Sequence, residues 1–78
     1  MKKIESIEDL KGIEDFQDYF IHFGIARSSK RIMHHKEDDT FTVHHEIDDT
    51  FEEDVTMEDL DKSNIGIAIQ KGNFYSYD

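Results

Sequence analysis

Two hydrophobic periods divide the chain. From Ile7 to Phe23, apolar residues recur at positions 7, 10, 13, 16, 20 and 23, three or four apart, as on one face of an amphipathic helix. Ser6 followed by Glu8 and Asp9 supplies a cap and first-turn carboxylates. Gly24 supplies a left-handed stop, with Ile25 folding back behind it. The spacing predicts a helix over residues 6–23, weakened in its middle by Gly12.

Beyond the short linker 26–30 the period becomes two. Ile32, then Phe41, Val43, His45 and Ile47, then Phe51, Glu53 and Val55 alternate with their neighbours, and Asp-Asp-Thr separates the last two runs. β-branched and aromatic residues broken by aspartate pairs predict a three-stranded meander. Within it a phrase recurs at a ten-residue interval, as His34-His35-Lys36-Glu37-Asp38-Asp39-Thr40-Phe41 and as His44-His45-Glu46-Ile47-Asp48-Asp49-Thr50-Phe51. The repeat reads as hairpin architecture. Its turns lack glycine, which argues against a tight two-residue loop. A three-residue loop through Thr50 is the preferred reading, because it keeps Phe41, Ile47 and Phe51 on one face.

Thr56-Met57-Glu58-Asp59 is a second capping sequence and begins a helical turn that carries Leu60. The tail has two readings. Ile65, Ile67 and Ile69 alternate with smaller or polar residues ahead of Lys71-Gly72-Asn73 and the aromatic end, which favours a terminal hairpin. The rival is a helix capped by Ser63, burying Ile65, Ala68 and Ile69 and stopped at Gly72. The expected fold is α+β, a single small domain over residues 1–78. In it an N-terminal amphipathic helix packs on a small antiparallel sheet, the meander plus a C-terminal strand or hairpin.

Length and composition bound this picture. The 78 residues include no cysteine, so neither a disulfide nor thiol chemistry is available, and such a small core is near the limit of independent stability. Ile, Leu, Val and Phe number twenty, above what a disordered chain carries. Acidic residues interrupt every apolar run near Met1, so neither a signal peptide nor a membrane span is expected, and the cytosol is the expected location.

Charge is unevenly placed. Residues 1–31 hold six basic and six acidic side chains, whereas residues 32–78 hold three basic and thirteen acidic, which accounts for the whole net charge of −10. Residues 37–61 contain twelve carboxylates and neither Lys nor Arg. Such a field repels nucleic acid and anionic membrane and attracts basic protein surfaces.

The chemistry expected of these residues is binding rather than catalysis. No nucleophile elbow, phosphate-binding glycine loop or catalytic constellation occurs, and no cofactor is expected. Gly66-Ile67-Ala68 is too generic to signify a site. The acids Asp38, Asp39, Glu46, Asp48, Asp49, Glu52, Glu53 and Asp54 form the candidate partner-binding row, with Phe51, Tyr75 and Tyr77 as aromatic anchors. Same-facing strand residues lie about 6.5–7 Å apart, close to the separation of phosphates along one DNA strand. The expected function is therefore an acidic protein-binding module that docks on a basic surface, including that of a nucleic-acid-binding protein. Small size, acidity and missing catalytic motifs give it the general character of phage-encoded inhibitors that imitate DNA, a likeness of character rather than of motif. Two alternatives belong to other classes. One is a histidine-based metal site with His35, His45 and Glu53 as candidate ligands, although their spacing matches no zinc signature. The other is a structural homo-oligomer, a homodimer formed when a terminal edge strand pairs with its twin.

Overall fold

Three consecutive buried residues decide the N-terminal half. Tyr19, Phe20 and Ile21 are all buried, and Phe20 alone of the three lies outside the main core cluster. A helix spreads three successive side chains around its circumference, whereas a strand sends the middle one to the opposite face. The computed structural model, which describes residues 1–77, accordingly contains no helix over 6–23. Its first strand, β1, is Lys2–Lys3; a single 3-10 turn follows at Ile7–Leu10, and β2 is Gln17–Phe23. The Asp9 carboxylate accepts the Glu5 and Ser6 N–H groups at 3.1 and 3.4 Å, and Gly12, at φ 85°, turns the chain away from a helix. Gly24 is not a helix stop. With φ 58° it opens the two-residue loop between Phe23 and Ala26, at the position where a type II′ hairpin needs positive φ.

The segment 26–30, read as a linker, is the start of the longest strand. β3 (Ala26–His35), β4 (Thr40–His45) and β5 (Thr50–Thr56) follow, then helices α1 (Met57–Lys62) and α2 (Asn64–Lys71), then β6 (Phe74–Ser76). The strands form one six-stranded sheet in the order β1-β6-β2-β3-β4-β5, with every neighbouring pair antiparallel. The expected arrangement of an N-terminal amphipathic helix on a small sheet is thus replaced by a larger antiparallel sheet whose two short helices come late in the chain.

One face of this sheet carries the core. Tyr19, Ile21, Ile32, Phe41, Val43, Val55 and Phe74 meet Ile7 and Leu10 of the 3-10 turn, Leu60 of α1, and Ile65, Ala68 and Ile69 of α2. Among the described residues no helix covers the other face. There Phe20 is buried by its own neighbours, stacked on Tyr75 at 5.4 Å between ring centres, tilted against Tyr77 at 4.7 Å and capped by the Arg27 guanidinium at 4.4 Å.

The tail is helical where a hairpin was preferred. Ile65, Ala68 and Ile69 are buried while Ile67 is 44% exposed, so the three isoleucines do not share a face as a strand requires. Ser63 Oγ accepts the Ile65 N–H at 3.2 Å, and Gly72 at φ 75° returns its N–H to Ala68 and Ile69. β6 is an interior strand between β1 and β2, so it offers no terminal edge for pairing with a twin.

Thr56 caps α1 by accepting the Asp59 N–H on Oγ1 at 3.1 Å. Thr56→Ala is expected to lower stability by about 1 kcal/mol, read as a lower urea midpoint at unchanged slope.

Candidate partner-binding edge and the cleft beneath it

The repeated phrase builds the same device twice. In each copy the second histidine ends a strand, four residues turn, and the threonine starts the next strand, with His35 opposite Thr40 and His45 opposite Thr50. Asp38 Oδ1 accepts the Thr40 hydroxyl at 2.8 Å and its N–H at 3.3 Å; Asp48 does the same for Thr50 at 2.7 and 3.3 Å. Asp39 and Asp49 take left-handed φ values of 58° and 57°, which aspartate tolerates better than most side chains. Their carboxylates accept from Nε2 of His34 and His44 at 2.8 and 2.7 Å. Aspartate thus does the work in these loops that glycine does in shorter ones.

The loops are four residues long, not three, and this changes the faces. Phe41 is fully buried, whereas Ile47 is 80% exposed at the loop tip and Phe51 is 58% exposed on the open face. Phe51 pairs with His44 across the strands and stacks on its ring at 4.3 Å.

The two copies differ in what lies behind the imidazole. His34 is buried and accepts the Gly12 N–H on Nδ1 at 3.0 Å, so it donates its Nε2–H to Asp39. Nδ1 of His44 is buried with no hydrogen-bond partner among the described residues, an arrangement that costs about 1–3 kcal/mol.

The hydrogen bond from His34, reinforced by Lys11, holds the Asp39 carboxyl below its ordinary value of 3.8. A carboxyl lowered in the folded state contributes stability that is full above the ordinary value and is lost as pH falls through the folded one. The stability difference between the parent protein and Asp39→Asn is therefore expected to be constant above about pH 5 and to shrink towards about pH 3, measured by urea melts at both. Asp48 is lowered as well, chiefly by the Thr50 hydroxyl.

The candidate acids gather around β5, one of the two sheet edges. Thr50, Phe51, Glu52, Glu53 and Asp54 are exposed in succession, and the loop before them adds Glu46, Asp48 and Asp49. The row is not a regular ladder. Val55 pairs with Phe41 and Glu52 with Val43, so Glu53 and Asp54 together oppose Thr42 in a bulge, with Asp54 at φ 55°. Without the extra residue Asp54 would take the core position that Val55 fills. Asp38 and Asp39 sit in the preceding loop, exposed beside Lys11. Phe51 lies on the acidic edge itself. Tyr75 and Tyr77 lie on the far side of β2, β3 and β4, about 19 Å away at the usual strand spacing. Tyr77 is held there by a 3.0 Å hydrogen bond between its hydroxyl and that of Ser29.

The metal candidates do not converge. His35 lies on the open face, where its Nε2 meets Thr42 Oγ1 at 2.7 Å, while His45 turns to the helix-facing side to meet Lys30 at 2.8 Å. Adjacent strand positions point to opposite faces, and the register pairs Lys30 with His45 but His35 with Thr40. Among the described residues no cluster of three or more His, Asp and Glu side chains suits a metal ion.

Beneath the β5 edge lies a cleft of about 510 Å³ between β4–β5 and the α1–α2 junction, floored by Val43, Val55, Leu60 and Ile65. Lys30 and His45 form one wall; Glu52, Glu53, Asp54 and Asp59 form its acidic rim. Lys30 is 8% exposed. Sequence reading passed over this lysine; the only signal was a basic residue at a core parity of β3, two positions before Ile32. Among the described residues no helix is long and apolar enough to cross a membrane. Comparison with protein-family models, with curated proteins and with solved structures finds no match.

Proposed function

We propose that this protein is a small acidic protein-binding module that presents the free edge of β5 to a basic protein surface, including that of a nucleic-acid-binding protein, and so acts as an inhibitor. The observation that carries this reading is the union of an unpaired sheet edge with three successive exposed acids, Glu52, Glu53 and Asp54, and no Lys or Arg between residues 37 and 61. An edge strand offers main-chain donors and acceptors to an added strand, and the charge selects which strand is added. A second copy of β5 is repelled, a basic strand attracted. Phe51 supplies an exposed aromatic anchor on the same strand. Tyr75 and Tyr77 have no part in this contact. The bulge breaks the even spacing that a row of phosphates would require, so the reading rests on edge pairing and steering rather than on a copy of the DNA backbone. The cytosol is its expected setting.

The test is affinity capture at about 50 and 200 mM salt, since contacts among exposed charges are screened over that range. One dominant basic protein, released at the higher salt, displaced by duplex DNA and slowing amide exchange along Thr50–Thr56, is the expected result. Diffuse capture of many basic proteins, with β5 exchange unaltered, would leave the carboxylates as a solvated face alone.

A further inference from the structure

Lys30, His45 and Glu52 stand in line across β3, β4 and β5 on the helix-facing side of the sheet. Lys30 Nζ is 2.8 Å from His45 Nδ1, and His45 Nε2 is 2.5 Å from Glu52 Oε1. A carboxylate only accepts, so the imidazole carries its proton on Nε2 and turns the Nδ1 lone pair towards the lysine. Nucleophile, base and orienting carboxylate in sequence is the arrangement that activates a weak nucleophile. Lys30 as a residue is buried, yet it borders the cleft. An ammonium has three donors, and His45 takes one of them, which leaves two directed away from that partner.

We propose that the cleft is a covalent binding site for small neutral aldehydes, held as an imine on Lys30 Nζ. The acidic rim of Glu52, Glu53 and Asp59 disfavours an anionic ligand, and the floor of Val43 and Leu60 suits an apolar body behind the carbonyl. The Lys30 ammonium first gives a proton to His45 Nδ1, and the resulting imidazolium is stabilised by Glu52. The free amine then attacks the carbonyl carbon. The C–N bond forms, the carbonyl π bond breaks, and a proton moves from nitrogen to oxygen to give the carbinolamine. His45 returns its proton to the hydroxyl, water leaves, and the nitrogen lone pair closes the C=N bond as the protonated imine. Ammonium plus aldehyde thus give iminium plus water, with His45 restored and no oxidant or reductant consumed. Burial lowers the Lys30 pKa from its usual 10.5, while Asp48 and Glu52 act in the opposite sense, so the net shift eases the loss of the proton that precedes attack.

The experiment treats the whole chain with propanal and sodium cyanoborohydride at about pH 7, where hydride traps each imine as a propyl amine, and maps the adducts by mass spectrometry. Lys36, with its side chain 62% exposed, and the exposed Lys71 lie outside the cleft lining and are internal references. Lys30 is expected to be modified faster than either by about an order of magnitude, and His45→Gln is expected to remove that preference while leaving Lys36 unchanged. Glu52→Gln serves as the second variant, with circular dichroism to check that each folds. Adducts ranked by exposure, with Lys30 last, would overturn the proposal, and so would a Lys30 rate untouched in both folded variants. If neither variant folds, the ranking in the parent chain decides.

Discussion

Gly66→Ala is expected to destabilise the protein by more than about 3 kcal/mol, although alanine is the better helix former by about 1 kcal/mol. The reason is a close backbone approach inside α2. A Cβ on Gly66 would lie 2.0 Å from the Asp61 carbonyl oxygen, 2.4 Å from its carbon and 2.6 Å from its Cα. Main-chain atoms cannot rotate aside as a side chain can, so α1 and α2 would have to separate. Only Ser63 joins them. It donates its hydroxyl to the Leu60 carbonyl at 2.6 Å and accepts the Ile65 N–H, and both of those residues are in the core. Separation therefore breaks the cap and opens the core together. A chain of this length has a total stability of about 4–12 kcal/mol, so the loss should appear as a collapsed urea midpoint or no cooperative transition at all. Ile67→Ala on the half-exposed side of the same helix is the control, with an expected cost of about 1 kcal/mol. Equal stability of the Gly66→Ala variant and the parent would show that the two helices do not meet as described.

That glycine carries a lesson about what the sequence discloses. Gly66-Ile67-Ala68 has no motif value, because the need for glycine arises from a neighbouring helix and not from the residues beside it. The same limit governs the N-terminal half. Positions 16, 20 and 23 fit a helical period, yet Tyr19 and Ile21 fit a period of two equally well, and only packing on both faces of a sheet chooses between them. Over Gln17–Phe23 the chain takes the strand period, whereas in the tail, where Ile65, Ile67 and Ile69 also fit both, it takes the helical one. The strands from Ile32 to Val55 were legible because their alternation had no helical rival, and the repeat marked both loops. Loop length was less legible. Positive φ at two aspartates replaced the expected glycine, and the added loop residue moved Phe51 to the open face.

The site divides in the same way. The acidic edge could be read directly, since twelve carboxylates without a compensating base are a property of composition. Its anchors could not, because Phe51, Tyr75 and Tyr77 are all aromatic and near acids or the terminus, while strand order alone separates β6 from β5. Lys30, His45 and Glu52 are fifteen and seven residues apart in sequence, and they become neighbours only through the registers of two strand pairs. Such a line is invisible until registers are known.

Replacing Asp38, Asp39, Asp48 and Asp49 together with asparagine is expected to slow association with a basic partner by about tenfold or more at low salt, while changing the urea midpoint far less. The loop geometry makes this separation sharp. Asparagine keeps a side-chain oxygen where Asp38 and Asp48 accept from Thr40 and Thr50, and where Asp39 and Asp49 accept from Nε2 of His34 and His44. It also tolerates the left-handed φ of positions 39 and 49. What disappears is charge, four of the ten net negative charges, two from each of the loops at the opposite ends of β4 that join it to β3 and to β5. Charges of this kind act chiefly on the rate of encounter and are screened within about 10 Å at 0.1 M salt. Stopped-flow association at about 50 and 200 mM salt should therefore find parent and variant far apart at the first concentration and nearly equal at the second. Equal rates at low salt would remove these loops from the docking edge and leave Glu52, Glu53 and Asp54 to carry it, whereas a variant that fails to fold would mean that the aspartates are needed as anions within their own turns.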